Sequence, residues 1–192
     1  MYSFAQHPDC KVIDEPFYAY YLQKTGIIHP GTTEVLASQS TDWKEVVDLI
    51  NEVGRKQQHV FVKNMAHHLL EQDLSALADW KNVYLIRDPK RIIISFNKVI
   101  PNPSMGDIGI QKQSEIFDEF PGPVIDSMSI LDEPKIGLRR LCEAVGMDFQ
   151  ESMLAWEPGA LAEDGVWAKY WYNNVHKSSG FGPRPSDVIE IP

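Results

Sequence analysis

Arg87 closes the apolar run Val83-Tyr84-Leu85-Ile86, and Asp88-Pro89 follow it directly. Aspartate is a good N-cap, and proline suits the first helical position because its missing N–H would have no partner there. The spacing therefore predicts a strand running straight into a helix, with an arginine on the turn. A helix N-terminus beside a guanidinium, at the carboxyl end of a buried strand, is a place where an α/β protein holds a phosphate. Ser95 lies two turns further into that helix. The competing reading is structural: an arginine paired with Asp88 or a neighbour, and a serine that bonds back to its own helix. Other chemistries are poorly represented. The adjacent His67 and His68 point in different directions on a helix, and no third ligand stands at His-x-x-x-His or Glu-x-x-His spacing, so no metal is expected. There is no Gly-x-Ser-x-Gly elbow and no Gly-x-x-x-x-Gly-Lys-Ser/Thr loop. Cys10 and Cys142 form no CxxC, which points to a reducing compartment and to no catalytic thiol.

The elements that must position Arg87 read as alternating strands and helices. Residues 11–14 form a short strand stopped by Pro16, and the apolar run Phe17 to Leu22 predicts a helix. Gly26 to Gly31 read as a loop. Asp42 to Gly54 have helical apolar spacing with an aspartate cap and a glycine stop. His59 to Lys63 form a buried strand, with short helices over 65–70 and 74–80 before the strand that ends at Arg87. Beyond it, Ile108 to Phe120 are helical, Val124 to Asp126 extended, and Leu131 to Gly146 helical with a proline near the start. The βα alternation calls for a parallel sheet with helices on both faces, and for ligands at the carboxyl ends of its strands. Trp167, Trp171 and Tyr172 read chiefly as aromatics that pack a C-terminal segment onto the core.

The 192 residues suit one domain, with 157–192 as an aromatic arm and loop. The formal charge of -9 argues against a protein that wraps nucleic acid, which needs a positive field along one face. It leaves room for a single polyanion held by a local cluster drawn from Lys63, Arg87, Lys90, Arg91, Arg139 and Arg140. With no run of 18 apolar residues and no signal-peptide pattern at Met1 to Pro8, a soluble cytoplasmic protein without membrane partners is expected.

Arg87-Asp88-Pro89-Lys90 followed by Ser95 resembles the 3′-phosphate-binding segment of sulfotransferases that use 3′-phosphoadenosine 5′-phosphosulfate (PAPS). A second block, the Leu131 to Gly146 helix with Met153-Leu154-Ala155-Trp156 after it, is similar to that family in order and spacing. The resemblance implies the three-layer α/β fold of sulfotransferases, a parallel sheet flanked by helices as in P-loop NTPases. It further implies PAPS as donor, with Arg87 and Ser95 on the 3′-phosphate of PAPS or its product PAP. Lys177-Ser178-Ser179-Gly180 lie about where the family completes that site. Glu15, in Asp14-Glu15-Pro16, resembles the Glu-Pro of several bacterial and carbohydrate-type members and is a candidate base. Lys63 with His67 or His68 resembles the Lys-x-His segment of cytosolic members, with a spacing that differs by two or three residues. The base is thus Glu15, His67 or His68, and Lys63 is the cation beside the sulfuryl group.

The family's first strand and its phosphosulfate loop, of the type Pro-Arg/Lys-Ser-Gly-Thr/Ser-Thr, do not occur in the chain, which reads from Met1 as the end of the helix that follows them. The resemblance therefore leaves two functions: sulfuryl transfer to a small hydroxyl or amine acceptor, inactive in this form if the loop is lost, or a catalytically silent binding or assembly module on the same fold. Open sheet edges left by a missing strand would favour a homo-oligomer. Loops at 26–41 and 101–112 are expected to shape the acceptor site.

Overall fold

The computed structural model describes residues 1–70, 74–100 and 102–183. Its contacts group into two compact units, one of Met1–Asp73 with Gln150–Gly180, the other of Leu74–Phe149 with Phe181–Pro192. The 157–180 stretch expected as an arm thus belongs to the first unit, and the rest of that expectation, from residue 184 on, lies outside the described residues.

The first unit runs α1 (Tyr2–Ala5), β1 (Cys10–Asp14), α2 (Tyr18–Thr25), α3 (Thr32–Ser38), α4 (Trp43–Lys56) and β2 (His59–Lys63). The two strands pair in parallel, Cys10 opposite His59 and Asp14 opposite Lys63, so both end at the same edge. Helix α4 starts where Asp42 accepts the N–H of Glu45. It continues through Gly54, the expected stop, to Lys56, because that glycine keeps helical backbone. Gly26, in contrast, takes φ 67° and ends α2 with its N–H on Leu22 O. The region 26–41 is less of a loop than expected, since α3 occupies its middle and His29 is buried with Nδ1 2.8 Å from the Tyr18 hydroxyl. Tyr18, Ala19, Tyr21, Leu22, Val35 and Trp167 form one buried core, against which Trp171 and Tyr172 pack. The expected aromatic packing of the C-terminal segment is therefore present, on a single helical turn, Ala168–Trp171.

The second unit contains β3 (Tyr84–Ile86), α5 (Pro89–Phe96), α6 (Met105–Ile108), α7 (Ile110–Glu119), β4 (Val124–Asp126), α8 (Ser127–Asp132) and α9 (Pro134–Val145). β3 and β4 are parallel, with Tyr84 opposite Val124. Two helices expected as continuous are broken. Gly109, at φ 66°, separates α6 from α7, and Pro134 restarts the chain as α9 after α8. Among the described residues the fold is mixed α/β with parallel pairing, two strands in each unit. Among the described residues no helix is long and apolar enough to cross a membrane.

Candidate active site

The parallel register of β1 and β2 brings Asp14 and Lys63 to one edge, and the chain turns there through Glu15. Glu15 adopts φ 38°, a region that residues other than glycine seldom enter. Three bonds hold it there: its N–H donates to Lys63 O at 2.8 Å, and its carbonyl accepts from Gln39 Nε2 and from the Tyr18 N–H, both at 3.1 Å. A strained backbone so fixed is characteristic of functional positions. The carboxylate is 7 % exposed as part of its residue and accepts a hydrogen bond from Lys63.

Lys63 uses all three ammonium protons. Besides Glu15 they reach the Tyr172 hydroxyl oxygen at 2.7 Å and Asp14 Oδ1 at 3.4 Å. The Tyr172 hydroxyl in turn donates its proton to Asp14, whose oxygens lie 2.8 and 2.9 Å away, and the Gly165 N–H donates to Asp14 Oδ2 at 3.3 Å. Gly165 has no room for a side chain, because the Trp167 indole fills the space 2.1 Å from where a Cβ would stand. Burial works against the Lys63 charge, but Glu15 and Asp14 outweigh it and hold the ammonium above its ordinary value. Burial raises the Asp14 carboxyl, with Glu15 adding to it and Lys63, Tyr172 and Gly165 opposing. Burial and the two carboxylates also push the Tyr172 phenol far up, so it stays protonated.

His68 completes the arrangement without entering its hydrogen bonds. Its ring stacks on Tyr18 and Tyr21, each at 4.7 Å between centroids, and its Nδ1 lies 4.0 Å from Glu15 Oε2. Burial, with His67, Lys63 and His29 acting in the same direction, holds His68 well below its usual value and keeps it neutral. The unfolded chain binds a proton near pH 6.5 that folded His68 refuses, so this stability is present above the ordinary histidine value and lost as pH falls through it. We expect the melting temperature to drop between about pH 7 and pH 5.5, costing about 1 kcal/mol, and the drop to shrink in His68→Phe, which keeps the ring stack. An unchanged slope in that variant would assign the acid sensitivity elsewhere. His67 is buried as well, edge-on to Tyr21 at 5.2 Å and to His68 at 4.6 Å.

The structure thus brings together Glu15, Lys63 and His68 of the residues singled out from sequence, and adds Asp14 and Tyr172. Arg87 and Ser95 are in the second unit, both exposed, the first on the turn after β3 and the second within α5. The Asp88 carboxylate accepts from the Lys90 N–H at 2.8 Å and so caps α5, as the sequence implied. Lys177 is exposed in the first unit. The Ser178 hydroxyl donates to Val175 O at 2.7 Å and accepts from Trp156 Nε1 at 3.1 Å, a local role that ties Trp156 to the chain beyond it.

The family model of the Sulfotransferase domain matches residues 1–189. The chain belongs to the sulfotransferase family. Two Arabidopsis thaliana proteins, "Branched-chain-amino-acid aminotransferase-like protein 2" and "Branched-chain-amino-acid aminotransferase-like protein 1", are each 38 % identical to it, over 188 and 187 residues. The matches take in 94 % of this sulfotransferase-family chain but 33 % and 34 % of those proteins, so the chain spans about a third of their length. A solved "Sulfotransferase Domain from the Curacin Biosynthetic Pathway" is 14 % identical, with a TM-score of 0.42 over 84 % of this chain and 63 % of the other.

Proposed function

We propose that this member of the sulfotransferase family transfers a sulfuryl group from PAPS to a hydroxyl or amine acceptor. The observation that carries the reading is the pair of buried Glu15 and half-buried Lys63, with Glu15 held in left-handed backbone at the common end of β1 and β2. In this reading the Glu15 carboxylate takes the acceptor's proton. The acceptor oxygen or nitrogen bonds to sulfur as the bond from sulfur to the donor's phosphate oxygen breaks, and that electron pair leaves with PAP. The Lys63 ammonium offsets charge on the sulfuryl oxygens in a site with little water, where such offsets are large. Glu15 is favoured over His68 as base because burial holds His68 neutral and makes it resist taking a proton.

For the donor, Arg87 and Ser95 are assigned to the 3′-phosphate. An exposed guanidinium at the start of the capped, eight-residue α5 fits a phosphate in type and charge. Lys177 is kept as a further basic residue for that group, whereas the bonded Ser178 hydroxyl supports it less. The reading includes the layered parallel sheet of the family, of which each unit has a two-stranded piece, and a cytoplasmic site of action.

The test is a calorimetric titration with PAP, with 5′-AMP as the control that lacks the 3′-phosphate. PAP is expected to bind selectively, and Arg87→Ala to weaken it by about ten- to a hundredfold, the loss of one charge-assisted contact. Equal or absent binding of both nucleotides would instead support the catalytically silent module. Leu85, Ile86 and Val124 are exposed on the β3–β4 pair, which supports self-association along that edge; sedimentation of the same samples reads it.

A further inference from the structure

Transfer of a proton to Glu15 removes one of the two carboxylates that face Lys63. An ammonium that is largely withdrawn from water, as half-buried Lys63 is, gives up its proton more readily when it loses its negative partners. The remaining partners of Lys63 are Asp14 and Tyr172; the Tyr172 hydroxyl also lies 3.2 Å from Glu15 Oε1, but its shorter bonds, at 2.8 and 2.9 Å, are to Asp14. Asp14 is 5 % exposed and receives the Tyr172 proton at 2.8 Å and the Gly165 N–H at 3.3 Å. Tyr172 donates to Asp14 and accepts from Lys63 at 2.7 Å with the same oxygen, which a phenol does only while protonated. We propose that Asp14 and Tyr172 form a holding site for the Lys63 ammonium, keeping Lys63 charged while Glu15 carries the acceptor's proton.

The proposal rests on Glu15 as the base of the reaction. Asp14 and Tyr172 are then positioning residues that act through Lys63. The other titratable side chains near the cluster add no competing charge: His68 is neutral, and the Tyr18 phenol is raised by burial. His67 contacts the rings of His68 and Tyr21. Gly165 and Tyr172 both come from the C-terminal part of the first unit. That segment is fixed by Asp164, whose Oδ2 accepts from Tyr2 at 2.6 Å and lies 2.9 Å from His176 Nε2.

The experiment is an NMR titration of the Lys63 side chain between about pH 6 and pH 11 in the intact protein. Glu15→Gln imitates the protonated base. In that variant Lys63 is expected to titrate within about one pH unit of an ordinary lysine. Adding Asp14→Asn should lower the midpoint by about two pH units, and adding Tyr172→Phe by about one. A midpoint that collapses in Glu15→Gln alone, or that neither second substitution moves, overturns the holding site. Tyr172→Phe removes one oxygen and decides the matter should Asp14→Asn not fold. The titration uses neither donor nor acceptor. A protein that transfers no sulfuryl group therefore overturns the function and not the holding site, while an uncharged Lys63 in Glu15→Gln does the reverse.

Discussion

Glu15→Gln is expected to lower the rate of sulfuryl transfer by about a hundred- to ten-thousandfold, the usual range for loss of a general base. PAP affinity should not change. The substitution is close to isosteric, so the introduced glutamine can keep the left-handed backbone that Lys63 O, Gln39 and Tyr18 fix, and its amide oxygen can still accept from Lys63. What it cannot do is take a proton. Single-turnover measurement with saturating PAPS separates the chemical step from binding and product release. A rate within tenfold of wild type would move the base to another residue, with His67 the next to replace. A proportional loss of PAP affinity would make Glu15 a binding residue.

The second large effect is on stability. Lys63→Met leaves Asp14 and Glu15, 5 % and 7 % exposed, facing each other without a cation. Breaking a fully buried pair in this way costs about 3–5 kcal/mol, and because the Lys63 side chain is half-buried the expected cost is smaller, about 2–3 kcal/mol. The cost must depend on pH. Burial already raises the Asp14 carboxyl and Lys63 opposes that rise, so removing Lys63 sends it higher still. A carboxyl whose folded value exceeds its unfolded value contributes stability below the unfolded value and loses it as pH rises through the folded one. The gap between variant and wild type should therefore be widest near neutral pH and narrow towards about pH 4. Denaturant midpoints at several pH values would show it. A gap that does not vary with pH would mean that the lysine stem, and not its charge, stabilises the cluster.

Glu15 and Lys63 were legible in the sequence because each resembles a family segment, Glu-Pro and Lys-x-His, and each stands at or just past a strand end, where ligands of a parallel sheet bind. The register that makes them neighbours was not legible, since it depends on β1 pairing with a strand 49 residues away. Asp14 read as the last residue of its strand, and only the burial of its carboxylate marks it out. Tyr172 was hidden for a different reason. Trp167, Trp171 and Tyr172 look alike as core aromatics, and the first does fill the core, but the third has a hydroxyl that meets Asp14 across 158 residues. The helical turn that Tyr172 follows, Ala168–Trp171, is four residues long, too short for periodicity to reveal which face turns inward. Helix α3 was missed because Gly31 and two threonines at its start are weak helix formers. The caps were the most dependable signals: Asp42 and Asp88 each accept the N–H that their positions implied.

The order in which the first unit takes its residues from the chain bears on how the protein is made. Glu15 and Lys63 leave the ribosome before Tyr172, and the whole stretch Leu74–Phe149 is made before the second part of their unit, from Gln150 on, appears. At about 5–20 residues per second, Asp14 waits roughly 8 to 30 seconds for Tyr172. During that interval two carboxylates and a lysine stand at the end of a two-stranded sheet that lacks the Trp167 part of its core. Nascent chains released short of Trp167 are therefore expected to expose Tyr18 and Tyr21 to water, and to be the form that chaperones and proteases meet.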